Sequence, residues 1–142
     1  MSKTYISAEL RQRVAARAKN CCEYCLIHED DGYYTLQIDH VISEKHGGQT
    51  EADNLALACV MCNRAKGSDV GSIDLHTGAF VRFYNPRIDS WTDHFDLDEA
   101  RIVPMTDVAR VTERLLQFNV RERLLEREIL RTIGRYPLEG GA

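Results

Sequence analysis

The stretch Cys59-Val60-Met61-Cys62-Asn63-Arg64-Ala65-Lys66-Gly67, read with its earlier partner Cys22-Glu23-Tyr24-Cys25, decides how this chain folds. Each stretch carries a Cys-x-x-Cys pair, which sets two thiolates on one side of a tight turn. Two such pairs supply the four soft donors of a tetrahedral zinc ion. Four thiolates leave no open position for water or substrate, so Cys22, Cys25, Cys59 and Cys62 read as a structural zinc site. The gap between the pairs is much longer than in a compact zinc ribbon. The metal therefore clamps the ends of an inserted substructure, and that insert holds Asp39, His40 and Asn54. Their oxygen and imidazole donors, unlike the thiolates, suit a second and harder cation.

Composition narrows the class. The chain has 142 residues, of which 44% are hydrophobic and 28% charged, enough for one core and short for two. A single domain over residues 1–142 is expected, with a core at about 10–70 and an extension at about 71–142. No stretch approaches the roughly 18 apolar residues of a membrane span. The start, Met1-Ser2-Lys3-Thr4-Tyr5, lacks the apolar centre of a signal peptide. A cytoplasmic protein is expected. In a reducing compartment the five cysteines argue for metal ligation rather than disulfides, with Cys21 left over as a small buried residue. The formal charge of −4 does not favour a nucleic-acid partner, which selects a basic surface. Local charge differs: Arg11, Arg13, Arg17 and Lys19 crowd one segment, suited to a phosphate backbone or to a solvated helix face.

Punctuation and periodicity give the elements. Ser7 caps a helix to about Lys19, with Leu10, Val14 and Ala18 on one stripe. Tyr34, Leu36 and Ile38 alternate with polar residues as a half-buried strand that leads to Asp39-His40. Gly47-Gly48 opens a loop, Asn54 to Ala58 returns as a strand, and Val60 to Lys66 forms a helix stopped by Gly67. Ala79 to Tyr84 is a further strand ended by Asn85-Pro86. Two helices follow, one from Thr106 with Val108, Val111, Leu115 and Phe118 inward, and one from Asn119 with Val120, Leu124, Ile129 and Ile133 inward. Arg121, Arg123, Arg127, Arg131 and Arg135 alternate with glutamates on this last helix. That mixed-charge face suits solvent, DNA, or a second copy in a homodimer.

Cys22-Glu23-Tyr24-Cys25, Asp39-His40-Val41-Ile42, Gly47-Gly48, Asn54-Leu55 and Cys59 through Gly67 resemble, in that order, the HNH endonucleases of the ββα-metal fold. The later Asn85-Pro86-Arg87, Trp91 and His94-Phe95 are similar to the tail of small stand-alone bacterial members. The resemblance implies an α+β fold: a ββα-metal core clamped by the four-cysteine zinc site, with an N-terminal helix and a C-terminal helical extension. It also implies metal-dependent hydrolysis of phosphodiester bonds in DNA. The chain departs from the pattern at Ser43-Glu44-Lys45, where family members often carry a proline.

Roles follow from the chemistry and from the resemblance. Phosphodiester hydrolysis needs an activated water and a cation that offsets the charge developing on phosphorus and the leaving oxygen. His40 is the expected general base, because histidine ordinarily offers a neutral imidazole near pH 7. By resemblance Asp39 is a ligand of the catalytic cation, Asn63 completes the protein's share of its ligands, and Asn54 braces the loop carrying the base. So sparse a donor set suits Mg²⁺, Mn²⁺ or Ni²⁺ with water and phosphate oxygens filling the remainder. Lys66, one helical turn after Asn63, is expected to face the same cleft and contact a phosphate.

Two other classes share parts of this pattern. A zinc-binding module for nucleic acid or protein that has lost catalysis is the alternative, kept in view by the acidic net charge. A zinc deaminase needs a His-x-Glu element followed by Pro-Cys-x-x-Cys; here Ile42 and Ala58 stand in the glutamate and proline positions, which excludes it.

Overall fold

The computed structural model describes residues 4–138, so Met1, Ser2 and Lys3 of the N-terminal stretch lie outside the described residues. Helix α1, Ala8–Arg17, starts where the Ser7 hydroxyl accepts the Leu10 N–H at 3.1 Å. Its buried Val14 packs with Ile6, Ala18, Leu36, Leu55 and Leu57 in a small apolar cluster. The left-handed backbone of Lys19 and Asn20 then ends the helix and turns the chain into the first cysteine pair.

The central unit is β1 (Gln37–His40), β2 (Leu55–Ala58) and α2 (Val60–Lys66). The strands pair antiparallel, with Gln37 opposite Ala58 and His40 opposite Leu55. The expected strand from Tyr34 starts three residues late. Ala58 is the last residue of β2, because Cys59 turns the chain into α2, so residues before Gln37 have no partner to pair with. Tyr34 is accordingly exposed. Helix α2 has the expected bounds: the Cys59 sulfur accepts the Cys62 N–H at its start, and Gly67 at φ 55° ends it.

The C-terminal half is richer in strands than its sequence suggested. Strands β3 (Gly71–Ile73) and β4 (Phe80–Arg82) form one hairpin. The short helix α3 (Trp91–His94) leads into a second hairpin of β5 (Phe95–Asp98) and β6 (Arg101–Pro104). Helices α4 (Asp107–Leu115) and α5 (Arg121–Thr132) follow. One apolar cluster joins Phe83, Trp91, Phe95, Ile102, Val111 and Phe118 of this half to Cys22, Tyr24, Ala56 and Cys62 of the other. Among the described residues no helix is long and apolar enough to cross a membrane.

Helix α5 corrects the expected facing. Its inward side chains are Arg123, Arg127 and Leu130, whereas Ile129 and Ile133 of the expected stripe are 64% and 66% exposed. The reason lies in what α5 packs against. Arg123 donates to the carbonyls of Leu116 and Gln117, and Arg127 donates to Ala100 O and Asn119 Oδ1. Buried carbonyls need donors more than the core needs another isoleucine.

Candidate metal centre and catalytic cleft

The four predicted zinc ligands converge. The sulfurs of Cys22, Cys25, Cys59 and Cys62 all lie within 4.8 Å of one another, and those of Cys25 and Cys59 are 3.7 Å apart. Zinc–sulfur bonds of about 2.3 Å in a tetrahedron require sulfur separations of about 3.8 Å, so the pocket fits zinc. In each pair the backbone N–H of the second cysteine donates to the sulfur of the first at 3.4 Å. Burial pushes the thiols of Cys22 and Cys62 well above their ordinary range, a cost that a bound cation removes by holding them as thiolates. Arg123, buried on α5, adds a second positive charge, donating to Cys62 Sγ at 3.0 Å.

Asp39 and His40 end β1, where successive side chains take opposite faces of the strand. Asp39 shares a face with Gln37, and α2 lies across that face: Asn63 Nδ2 donates to Gln37 Oε1 at 2.6 Å, and Lys66 Nζ donates to Asp39 Oδ1 at 3.2 Å. Asn63 and Lys66, one turn apart, thus meet Gln37 and Asp39, one pleat apart. The Tyr24 hydroxyl donates to Asp39 Oδ2 at 2.7 Å. Burial pushes the Asp39 carboxyl above its ordinary range, with Lys66 and Tyr24 pulling the other way.

Two oxygen donors on this seam bear on a hard cation. Asp39 keeps lone pairs beyond those taken by Tyr24 and Lys66, and Asn63 Oδ1 accepts no hydrogen bond among the described residues. Lys66 differs from expectation: at 1% exposure its ammonium turns inward to Asp39 and to the His40 carbonyl at 3.0 Å, not outward to a phosphate.

The His40 ring points to the loop side. Its Nε2 lies 2.9 Å from Thr50 Oγ1 and 3.2 Å from Glu44 Oε1, while Nδ1 has no hydrogen-bond partner among the described residues. Asn54 pins the intervening loop at both ends, accepting from Ile42 N and donating to the carbonyls of Ile42 and Gln49, each at 2.9 Å. Gly48 is required here, since a Cβ on it would sit 1.7 Å from Ile42 O. Arg17, predicted as part of a basic surface, instead donates to the carbonyls of Ala52 and Leu55, tying α1 to this loop.

Tyr24 and Arg123 were missed by the sequence reading. A tyrosine between two zinc ligands carries no local sign that its hydroxyl meets an aspartate fifteen positions on. Arg123 sits in a helix whose alternating charges read as a solvent face.

Antiparallel strand pair, following helix, Asp-His at the strand end and a four-thiolate clamp define an α+β protein of the zinc-stapled ββα class. Within that class, residues 22–69 match the model of the HNH endonuclease family. No curated protein matches the chain.

Proposed function

We propose that this protein is an endonuclease that hydrolyses phosphodiester bonds in DNA, using His40 as general base and one divalent cation, Mg²⁺ or Mn²⁺ or Ni²⁺, held by Asp39 and Asn63. The observation that carries the reading is the arrangement around His40. Glu44 and Thr50 hold Nε2, and a carboxylate beside that nitrogen favours the tautomer with its proton there. Nδ1 then presents a lone pair, and it is the nitrogen that takes the proton from the attacking water. When bound, the cation supplies charge stabilisation at the scissile phosphate and leaving oxygen. Asn54 holds the loop that orients the ring, which matters because small misplacements of a base cost much of its effect. Lys66 acts from beneath, donating to Asp39 Oδ1 and anchoring the end of β1 through the His40 carbonyl. Its charge sits next to the Asp39 carboxylate, so the expected direct phosphate contact is not part of the proposal.

Residues 1–142 work as one domain in this reading, since the knuckles are held by side chains from the C-terminal half. The site is cytoplasmic, where thiolates stay reduced. A single site cuts one strand; pairing of two copies through the outer face of α5, with Leu125 and Ile129 exposed, would bring two sites to one duplex.

Plasmid cleavage tests the proposal. Purified protein given Mg²⁺, Mn²⁺ or Ni²⁺ should nick supercoiled DNA, EDTA should stop it, and His40→Ala should abolish it with zinc content unchanged. Linear product that rises with protein concentration would point to paired copies. The second reading, a zinc-bound module without catalysis, is favoured by one observation: Asp39, His40 and Lys66 are 4%, 7% and 1% exposed. DNA retained in a binding assay with no cleavage in any metal would select it.

A further inference from the structure

Asp39 owes its orientation to the zinc knuckle. Tyr24 lies between ligands Cys22 and Cys25, is fully buried, and reaches Asp39 Oδ2 with its hydroxyl at 2.7 Å. Its backbone has little freedom. The Tyr24 carbonyl accepts from Trp91 Nε1 at 2.9 Å, and the next carbonyl, of Cys25, accepts from the Tyr136 hydroxyl at 2.6 Å. On the other side, Glu23 exchanges hydrogen bonds with the Leu57 backbone, N–H to O and Oε2 from N–H, both at 2.8 Å, and pairs with Arg87. The Tyr24 ring meets Tyr84 edge-on at 6.4 Å. The phenol is therefore placed by the knuckle and its collar, and β1 alone would leave the Asp39 carboxyl torsion to Lys66.

We infer that Tyr24 is a positioning residue that couples the structural zinc site to the catalytic cation, by holding Asp39 in the orientation that binds that cation. The inference rests on the reading of Asp39 as a cation ligand. It gives the zinc clamp a task beyond stability: a change in knuckle geometry moves the hydroxyl, and with it the carboxylate. Removing a group that orients a metal ligand typically costs 10–100-fold in metal affinity or activity.

The experiment is a Mn²⁺ titration of the zinc-loaded full chain, followed by electron paramagnetic resonance, on wild type, Asp39→Asn and Tyr24→Phe. The thiolate absorption of cobalt-substituted protein reports whether the knuckle stays intact. Expected are loss of Mn²⁺ binding in Asp39→Asn, and in Tyr24→Phe an affinity lowered about tenfold with the cobalt spectrum unchanged. The Mn²⁺ concentration for half-maximal cleavage should rise in parallel, and the rate should recover at saturating Mn²⁺. Wild-type affinity in Tyr24→Phe overturns the inference while leaving the site assignment standing. Mn²⁺ binding that survives Asp39→Asn overturns the site assignment itself, and the positioning role with it. Should Tyr24→Phe fold poorly, wild type loaded with Cd²⁺, whose longer bonds to sulfur displace the knuckle, provides the second test. Its Mn²⁺ affinity should fall; an unchanged affinity overturns the coupling.

Discussion

The Arg123 guanidinium donates to the Cys62 sulfur at 3.0 Å, from a helix that begins after the whole C-terminal half has been built. The same group holds the carbonyls of Leu116 and Gln117 at the turn between α4 and α5. Four thiolates around zinc carry an excess of negative charge, and a buried arginine offsets part of it. Arg123→Met should weaken zinc retention by about 10–100-fold in competition with a chromophoric chelator. Arg123→Lys should not restore it, because an ammonium lacks the fork that serves sulfur and two carbonyls together. Zinc affinity equal to wild type in Arg123→Met would remove this role.

Stripping the zinc should release more than the knuckles. With the thiolates protonated, Arg123 keeps the Leu116 and Gln117 carbonyls but loses its anionic partner, so amide exchange should rise in α5 as well as in residues 22–25 and 59–62. Cys59→Ala should lower solubility and zinc stoichiometry together. A chelated protein with α5 as protected as before would show that the helix docks independently of the metal.

The loop behind His40 should be intolerant of small changes. Gly48→Ala would set a Cβ 1.7 Å from Ile42 O, so the backbone must shift. Asn54→Ala strands Ile42 N, Ile42 O and Gln49 O, at about 1–3 kcal/mol for each buried group left unsatisfied. Both variants should lose cleavage by about 100-fold or more, the scale of ångström misplacement. Zinc content should be unaffected. Retained cleavage in Gly48→Ala would mean that the loop does not set the base.

What could be read from the sequence was chemistry confined to neighbours. Ser7 capping α1, Gly67 ending α2 and the convergence of four cysteines all follow from residues a few positions apart or from a shared metal. The inward face of α5 was misread because apolar periodicity carries no information about buried carbonyls and thiolates awaiting donors. The β5–β6 hairpin did leave a trace: Phe95-Asp96-Leu97-Asp98 alternates, and Glu99 at φ 54° makes the turn. The Asp39 partners were not legible, since Tyr24 comes from the first cysteine pair and Lys66 from the end of α2, fifteen and twenty-seven positions away. Only the fold brings them together.

The Asp39–Lys66 pair is nearly inaccessible, at 4% and 1% exposure. Deleting one member of such a pair leaves a buried charge without compensation, typically at about 3–5 kcal/mol. Lys66→Met should therefore lower the urea midpoint strongly. Lys66→Met with Asp39→Asn should recover part of the loss, because the double change removes both charges. Additive losses in the double variant would show that the two side chains do not act as a pair.

Acid should act through Asp74, which fastens the β3–β4 hairpin to α4. Arg110 donates to both of its oxygens, at 2.8 and 3.3 Å, and the His76 N–H adds a third bond. The Arg110 guanidinium is the main cause holding this carboxyl down at about 2, against about 3.9 for an unfolded aspartate. The folded state therefore binds fewer protons. Its advantage is complete above about pH 4 and is lost as pH falls toward about 2. Asp74→Asn should be less stable than wild type near pH 7 and near pH 5, with the gap shrinking near pH 3. Zinc release in acid touches both proteins and cancels in the difference between their urea midpoints. A gap that stays constant across that range would mean that Asp74 contributes through packing and not through its charge.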